Sequence, residues 1–95
     1  MPLDNKKRKD LKAKAHHLKP VIRVGQKGVS ENLLLETGQA LEIHELIKVH
    51  IADEDREARK ATAMEIAEQT GAEIVNQIGK TCVLYRKKKQ LETDS

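Results

Sequence analysis

The chain is expected to form a single small α/β domain, in the order α-β-α-β-α-β-β, with a four-stranded mixed sheet. Three observations predict this. Apolar residues recur in turn at helical and at strand spacing along the chain. Only Gly79-Lys80 separates the last two strand-like runs, the length of a tight hairpin. The length, 95 residues, suits one domain near the lower end for a self-sufficient core.

The first helix is expected over residues 4–18. Leu11, Ala15 and Leu18 recur at i, i+4 and i+7 and give one narrow apolar stripe. The rest of its surface is mostly Lys and Arg. Lys19-Pro20 ends it, because the residue before a proline is pushed out of the α region. A first strand follows over residues 21–24. Ser30 is a good N-cap for a second helix running to about residue 43, with Glu31 facing the dipole favourably. Leu33, Leu34, Ala40 and Leu41 are assigned to its inner side. Gly38 inside it costs roughly 1 kcal/mol relative to Ala and suits a close approach to the sheet.

Residues 45–52 read as the second strand, with Leu46, Ile47, Val49 and Ile51 between polar interruptions. Asp53-Glu54-Asp55 opens a third helix, acidic at its positive end. Ala58, Ala61, Met64, Ile66 and Ala67 are assigned to its apolar side, and Gly71 to its end. Residues 73–78 and 81–85 are the hairpin strands. The domain is set at residues 1–88, with 89–95 as a polar tail.

Composition narrows the function. Hydrophobic residues make up 38% and charged residues 35%, with one Tyr and no Phe or Trp. Reading of nucleic acid by stacking alone is thus poorly equipped, and a backbone-directed mode fits better. Cys82 is the only cysteine, so neither an intramolecular disulfide nor a cysteine metal site is implied. No apolar run approaches the ~20 residues of a membrane span, and the basic N-terminus lacks an apolar core. A cytoplasmic protein is the expectation.

The charge is segregated. Residues 1–29 carry nine Lys/Arg against Asp4 and Asp10, a net +7. Residues 30–79 carry four against eleven Asp/Glu, a net −7. Residues 80–95 carry five against two, a net +3. Two basic ends around an acidic middle point to a polyanion partner; solubilising tails are the plainer alternative.

The loop Gly25-Gln26-Lys27-Gly28 lies between a strand and a helix opened by Ser30. Two glycines let the backbone approach something outside, and the helix N-terminus adds N–H donors and positive dipole. That suits a phosphate. A GxxG is by itself often only a turn. Its position, Lys27 at its tip and the basic helix before it favour a clamp on a nucleic-acid backbone, as in KH domains, where the loop joins two helices instead.

Other chemistries fail on spacing. Gly79-Lys80-Thr81 resembles the tail of a Walker motif, but Ile74 stands where its first glycine belongs, and GxGxxG is absent. His44-Glu45 begins an HExxH that Lys48 breaks. Asp53, Glu54, Asp55 and Glu57 lack the glycine and spacing of an EF-hand, so a solvated helix start is expected there. His16 and His17 either meet RNA or cap carbonyls at the sheet edge. His50 is expected to be exposed on its strand. No nucleophile–base–acid set is apparent, and no cofactor, metal site or enzyme activity is expected.

The blocks Ala15-His16-His17-Leu18-Lys19-Pro20-Val21-Ile22, Val24-Gly25-Gln26-Lys27-Gly28-Val29-Ser30, His44-Glu45-Leu46-Ile47-Lys48-Val49 and Ile78-Gly79-Lys80-Thr81 with Leu84-Tyr85-Arg86 resemble the CRM domain, the chloroplast RNA splicing and ribosome maturation module. The resemblance covers roughly residues 5–88. It implies a fold similar to the C-terminal domain of bacterial translation initiation factor three. It also implies RNA binding through the GxxG loop and the neighbouring basic surface. Stand-alone bacterial members associate with precursors of the large ribosomal subunit; plant members with several such domains act in group II intron splicing. Carried onto this chain, the RNA-binding residues are Lys7, Arg8, Lys12, Gly25, Gln26, Lys27, Gly28 and Arg86. The expected partner is ribosomal RNA or a large-subunit precursor. The alternative is a protein-interaction module that docks on ribosomal or translation proteins, with incidental RNA contact.

Overall fold

The computed structural model describes residues 4–25 and 27–87. Its elements are α1 (Asn5–Ala15), β1 (Pro20–Val24), α2 (Glu31–His44), β2 (Leu46–Ile51), α3 (Arg56–Thr70), β3 (Glu73–Ile78) and β4 (Thr81–Tyr85). This is the expected order. The strands form one sheet in the order β1-β2-β4-β3. β1 pairs parallel to β2, while β4 runs antiparallel to both β2 and β3. The sheet is therefore mixed, with the last strand inserted between β2 and β3.

Local chemistry explains the boundaries. Asp4 caps α1 by accepting from the Lys7 amide at 2.7 Å. Ser30 Oγ accepts from the Leu33 amide at 3.1 Å and opens α2. α3 ends on Gly71 in the left-handed region, φ 72°. In the hairpin turn Gly79 has φ 57° while Lys80 does not share a positive φ. Positive φ at the first central position alone is the type II′ pattern.

Strand alternation divides the core in two. Ile22, Val24, Ile47, Val49 and Ile51 point to one face, where they pack with Leu33 and Leu41 of α2 and Ala63, Ile66 and Ala67 of α3. On the other face Leu11 and Ala15 of α1 pack on Val75 and Val83, flanked by Leu18, Leu46 and Tyr85. Each Leu or Ile buried this way is worth about 1.5–3 kcal/mol. The helices thus lie one against two across the sheet. The α1 side is incompletely covered: Val21 on β1 is 53% exposed and Arg23 is exposed too.

Several expectations are corrected. α1 stops at Ala15, and Leu18 packs from the following turn, where His16, His17 and Leu18 donate back three residues. β1 begins on Pro20, which an edge strand tolerates at its first position. Glu45 is the cap of α2 rather than part of β2, at φ 63°. On α3, Met64 is 56% exposed and Ala61 exposed. At 3.6 residues per turn Met64 lies about 200° round from Ile66, and Ala63 takes the inward place. Thr37 is fully buried on α2, its hydroxyl donating to the Leu33 carbonyl at 2.7 Å. Gly38 makes no close approach: a Cβ there would meet nothing within 4 Å. His50 is half-buried rather than exposed.

Candidate nucleic-acid interface

The glycine loop sits where β1 ends and α2 begins. The Gly28 amide donates to the Gly25 carbonyl at 3.1 Å, closing a turn. Gly28 has φ 78°, a conformation that favours glycine, so its identity serves the turn. Gly25 is different. Its backbone lies outside the left-handed region, and a Cβ added there would meet nothing within 4 Å. The fold makes no demand for glycine at Gly25. Lys27 is exposed at the tip, and the first turn of α2 lies directly behind, with N–H groups that no helical carbonyl can take. Gln26 lies outside the described residues.

The basic residues of α1 split by direction. Lys6, Lys7, Lys9, Lys12 and Lys14 are exposed. Arg8 is not part of that solvent face. Its Nη1 donates to the Ile74 carbonyl at 2.7 Å and the Val75 carbonyl at 3.0 Å, tying α1 to edge strand β3. Arg86 is likewise turned inward. Nη1 donates to the Thr70 carbonyl at 2.7 Å, and Nη2 to the Gly38 carbonyl at 3.0 Å and Glu42 Oε1 at 3.4 Å. Both arginines assigned to the interface from the sequence hold backbone acceptors 66 and 48 positions away.

Three basic residues missed in the sequence lie on the partly covered face. Ile22, Val24, Ile47, Val49 and Ile51 point toward α2 and α3, so Arg23, Lys48 and His50 point the other way. Arg23 and His50 are register partners across β1 and β2. Lys48 shares a depression of about 220 Å³ with Lys12 and His16, floored by Asn76, Thr81 and Val83. The signal was present: Lys48 and His50 alternate with the apolar residues of β2 at period two.

Lys7 lies apart from Lys12. Its Nζ stands 5.4 Å from the centroid of the Tyr85 ring, a cation–π distance. The Lys7–Tyr85 pair belongs to a second depression, at the head of β1 and β2.

The acidic segment after β2 is organised by its own contacts. Asp53 accepts from the Asp55 amide at 2.9 Å, and Asp55 caps α3 by accepting from Glu57 at 3.3 Å. Arg59 donates to the Asp53 carbonyl at 2.6 Å and the Gly79 carbonyl at 3.0 Å, fastening the hairpin turn to the start of α3. The Lys80 ammonium, hydrogen-bonded to Glu54 at 2.9 Å, holds that carboxyl below its usual range. Among the described residues no group of three His, Cys, Asp or Glu is placed to hold a metal ion. No described helix is long and apolar enough to cross a membrane. Cys82 is 1% exposed, and burial pushes its thiol up to about 12.

Comparison with known proteins identifies the family. The sequence model of the CRS1 / YhbY (CRM) domain matches residues 3–86. A Pseudomonas aeruginosa protein named probable RNA-binding protein PA4753 is 41% identical over 92% of this chain and 84% of its own length. A Haemophilus influenzae protein named RNA-binding protein is 44% identical over 88% of this chain and 85% of its own. The solution structure of SAV1595 from Staphylococcus aureus superposes with a TM-score of 0.82 at 33% identity, covering 96% of this chain and 95% of that one.

Proposed function

Since the chain belongs to the CRS1 / YhbY (CRM) domain family, we propose that it is a non-enzymatic RNA-binding protein that acts in assembly of the large ribosomal subunit. The loop amides and Lys27 hold the phosphodiester backbone. The exposed lysines of α1, chiefly Lys7 and Lys12, extend the cationic surface, with Arg23, Lys48 and His50 between them and the loop. Arg8 and Arg86 serve the interface indirectly, by fixing α1 and the helix ends.

The observation that carries this reading is Gly25. A glycine that the fold does not require, open on the side where a Cβ would stand, leaves room for another chain's backbone. The relatives' names point the same way, since those proteins are named for RNA binding.

Salt titration tests the mechanism. With ~5 phosphates engaged on single-stranded RNA, log K falls with log salt at a slope near −3.5. A slope near zero removes the backbone clamp. Crosslinking in cells, followed by sequencing of the attached RNA, tests the assembly role. Enrichment of large-subunit precursor RNA is expected; enrichment of mRNA or tRNA redirects it.

A further inference from the structure

A depression of about 500 Å³ opens at the head of the sheet, at the opposite end of β1 from the glycine loop. That is within the size range of small-molecule sites. Its floor is apolar: Leu18, Val21, Leu46 and the ring of Tyr85, the only Phe, Tyr or Trp in the protein. Its rim carries Lys7, Lys14, Lys19, His17 and His44, with Glu45 the one carboxylate among the lining residues. Among the described residues, no ion pair joins Lys7, Lys14 or Lys19 to a carboxylate.

We infer that this groove receives one unpaired base of the bound RNA, with Lys7, Lys14 and Lys19 meeting the adjoining phosphates. The inference rests on the RNA-binding reading above and deepens it, from a backbone clamp to a clamp with a base pocket.

Three features favour a base. The Tyr85 ring shows its π face to the groove, because Lys7 Nζ lies over it at 5.4 Å. A base that stacks there takes the place of the ammonium, which then turns to a phosphate. The apolar floor and cationic rim match a nucleotide, which joins a flat, weakly polar ring to an anion. The groove and the loop lie at the two ends of β1. Val21 and Arg23 lie on the outer side of β1, between Lys19 at its head and Gly25 and Lys27 at its end. β1 spans about 13 Å, so one RNA strand reaches both sites.

The test compares a short fluorescent oligouridylate with an abasic ribose-phosphate backbone of equal length, by anisotropy. The native protein should bind the oligouridylate at least about fivefold more tightly. Val21→Ser and Tyr85→Leu should bring that ratio toward one while leaving affinity for the abasic backbone unchanged. Simple loss of fold would lower both affinities together, and circular dichroism checks it independently. Equal affinities for the two oligomers in the native protein would overturn the base pocket, as would a ratio that neither variant alters. The RNA reading itself has a separate failure: a native protein that binds neither oligomer. Equal oligomer affinities, with an acidic leucine-containing peptide released by Val21→Ser, would give the groove to a protein partner instead.

Discussion

Arg86 donates through Nη1 to the carbonyl oxygen of Thr70 at 2.7 Å. Thr70 is the last residue of α3, so the bond closes an end at which helical carbonyls have no amide to meet. The same guanidinium reaches Gly38 on α2 through Nη2 at 3.0 Å. One side chain at the end of β4 therefore joins both helices of one face.

Arg86→Ala should lower stability by about 1.5–3 kcal/mol, the range for hydrogen bonds to a charged group. RNA affinity of the folded protein should change little. Thermal denaturation beside an RNA titration separates the two effects. A large loss of affinity at unchanged melting temperature would return Arg86 to the RNA-facing surface.

The two loop glycines should respond in opposite ways. Gly25→Ala meets no steric obstacle and leaves stability unchanged or raises it by about 0.4–1 kcal/mol. It should nevertheless weaken RNA binding, because the added methyl stands where the RNA backbone approaches. Gly28→Ala forces a side chain to φ 78° and should destabilise by about 1 kcal/mol or more. Paired melting and binding curves check this; full RNA affinity in Gly25→Ala is the adverse result.

Charge reversal maps the face. Lys12→Glu and Lys48→Glu should each weaken RNA binding and flatten the salt slope by about 0.7 for each phosphate that is no longer neutralised. Lys60→Glu, an exposed change on α3 across the sheet, should do neither. Three indistinguishable variants would show that only net charge matters.

Cys82 should resist thiol reagents at neutral pH until the protein unfolds, since only the thiolate reacts. Its thiol is raised by burial to about 12 in the folded state. Stability from the neutral, buried thiol is complete below the ordinary cysteine range and is lost as pH climbs toward about 12. Between those limits the loss approaches ~1.4 kcal/mol per pH unit. Cys82→Ala lacks this dependence, so the stability gap between native protein and variant should narrow above roughly pH 9. Denaturant melts at stepped alkaline pH measure it; a constant gap would contradict it.

The legible parts of this chain are local ones. Ser30, Asp55 and Gly71 announce helix ends because a cap needs only its own neighbourhood. Gly79-Lys80 fixes a hairpin for the same reason. Arg8 and Arg86 read as interface residues because charge is visible in sequence. Their backbone acceptors are not, lying on other elements. Lys48 and His50 read as interruptions of an apolar strand. Their alternation puts them together on one face, but that this face is only partly covered follows from where α1 lies. Met64 and Ala63 are adjacent, and the larger side chain draws the assignment, although the helical angle set by Ile66 favours the smaller.

The place of β4 has a consequence for synthesis. Among the described residues it is the last strand made, yet it pairs with both β2 and β3. While translation is still under way, β3 has no neighbour in the sheet, and β2 has only β1. A nascent chain halted before Thr81 therefore leaves unpaired the edges of β2 and β3 that β4 will join, and both cores lack its side chains, Cys82 and Leu84 on one face and Val83 on the other. Folding of this domain waits until β4 has left the ribosomal exit tunnel.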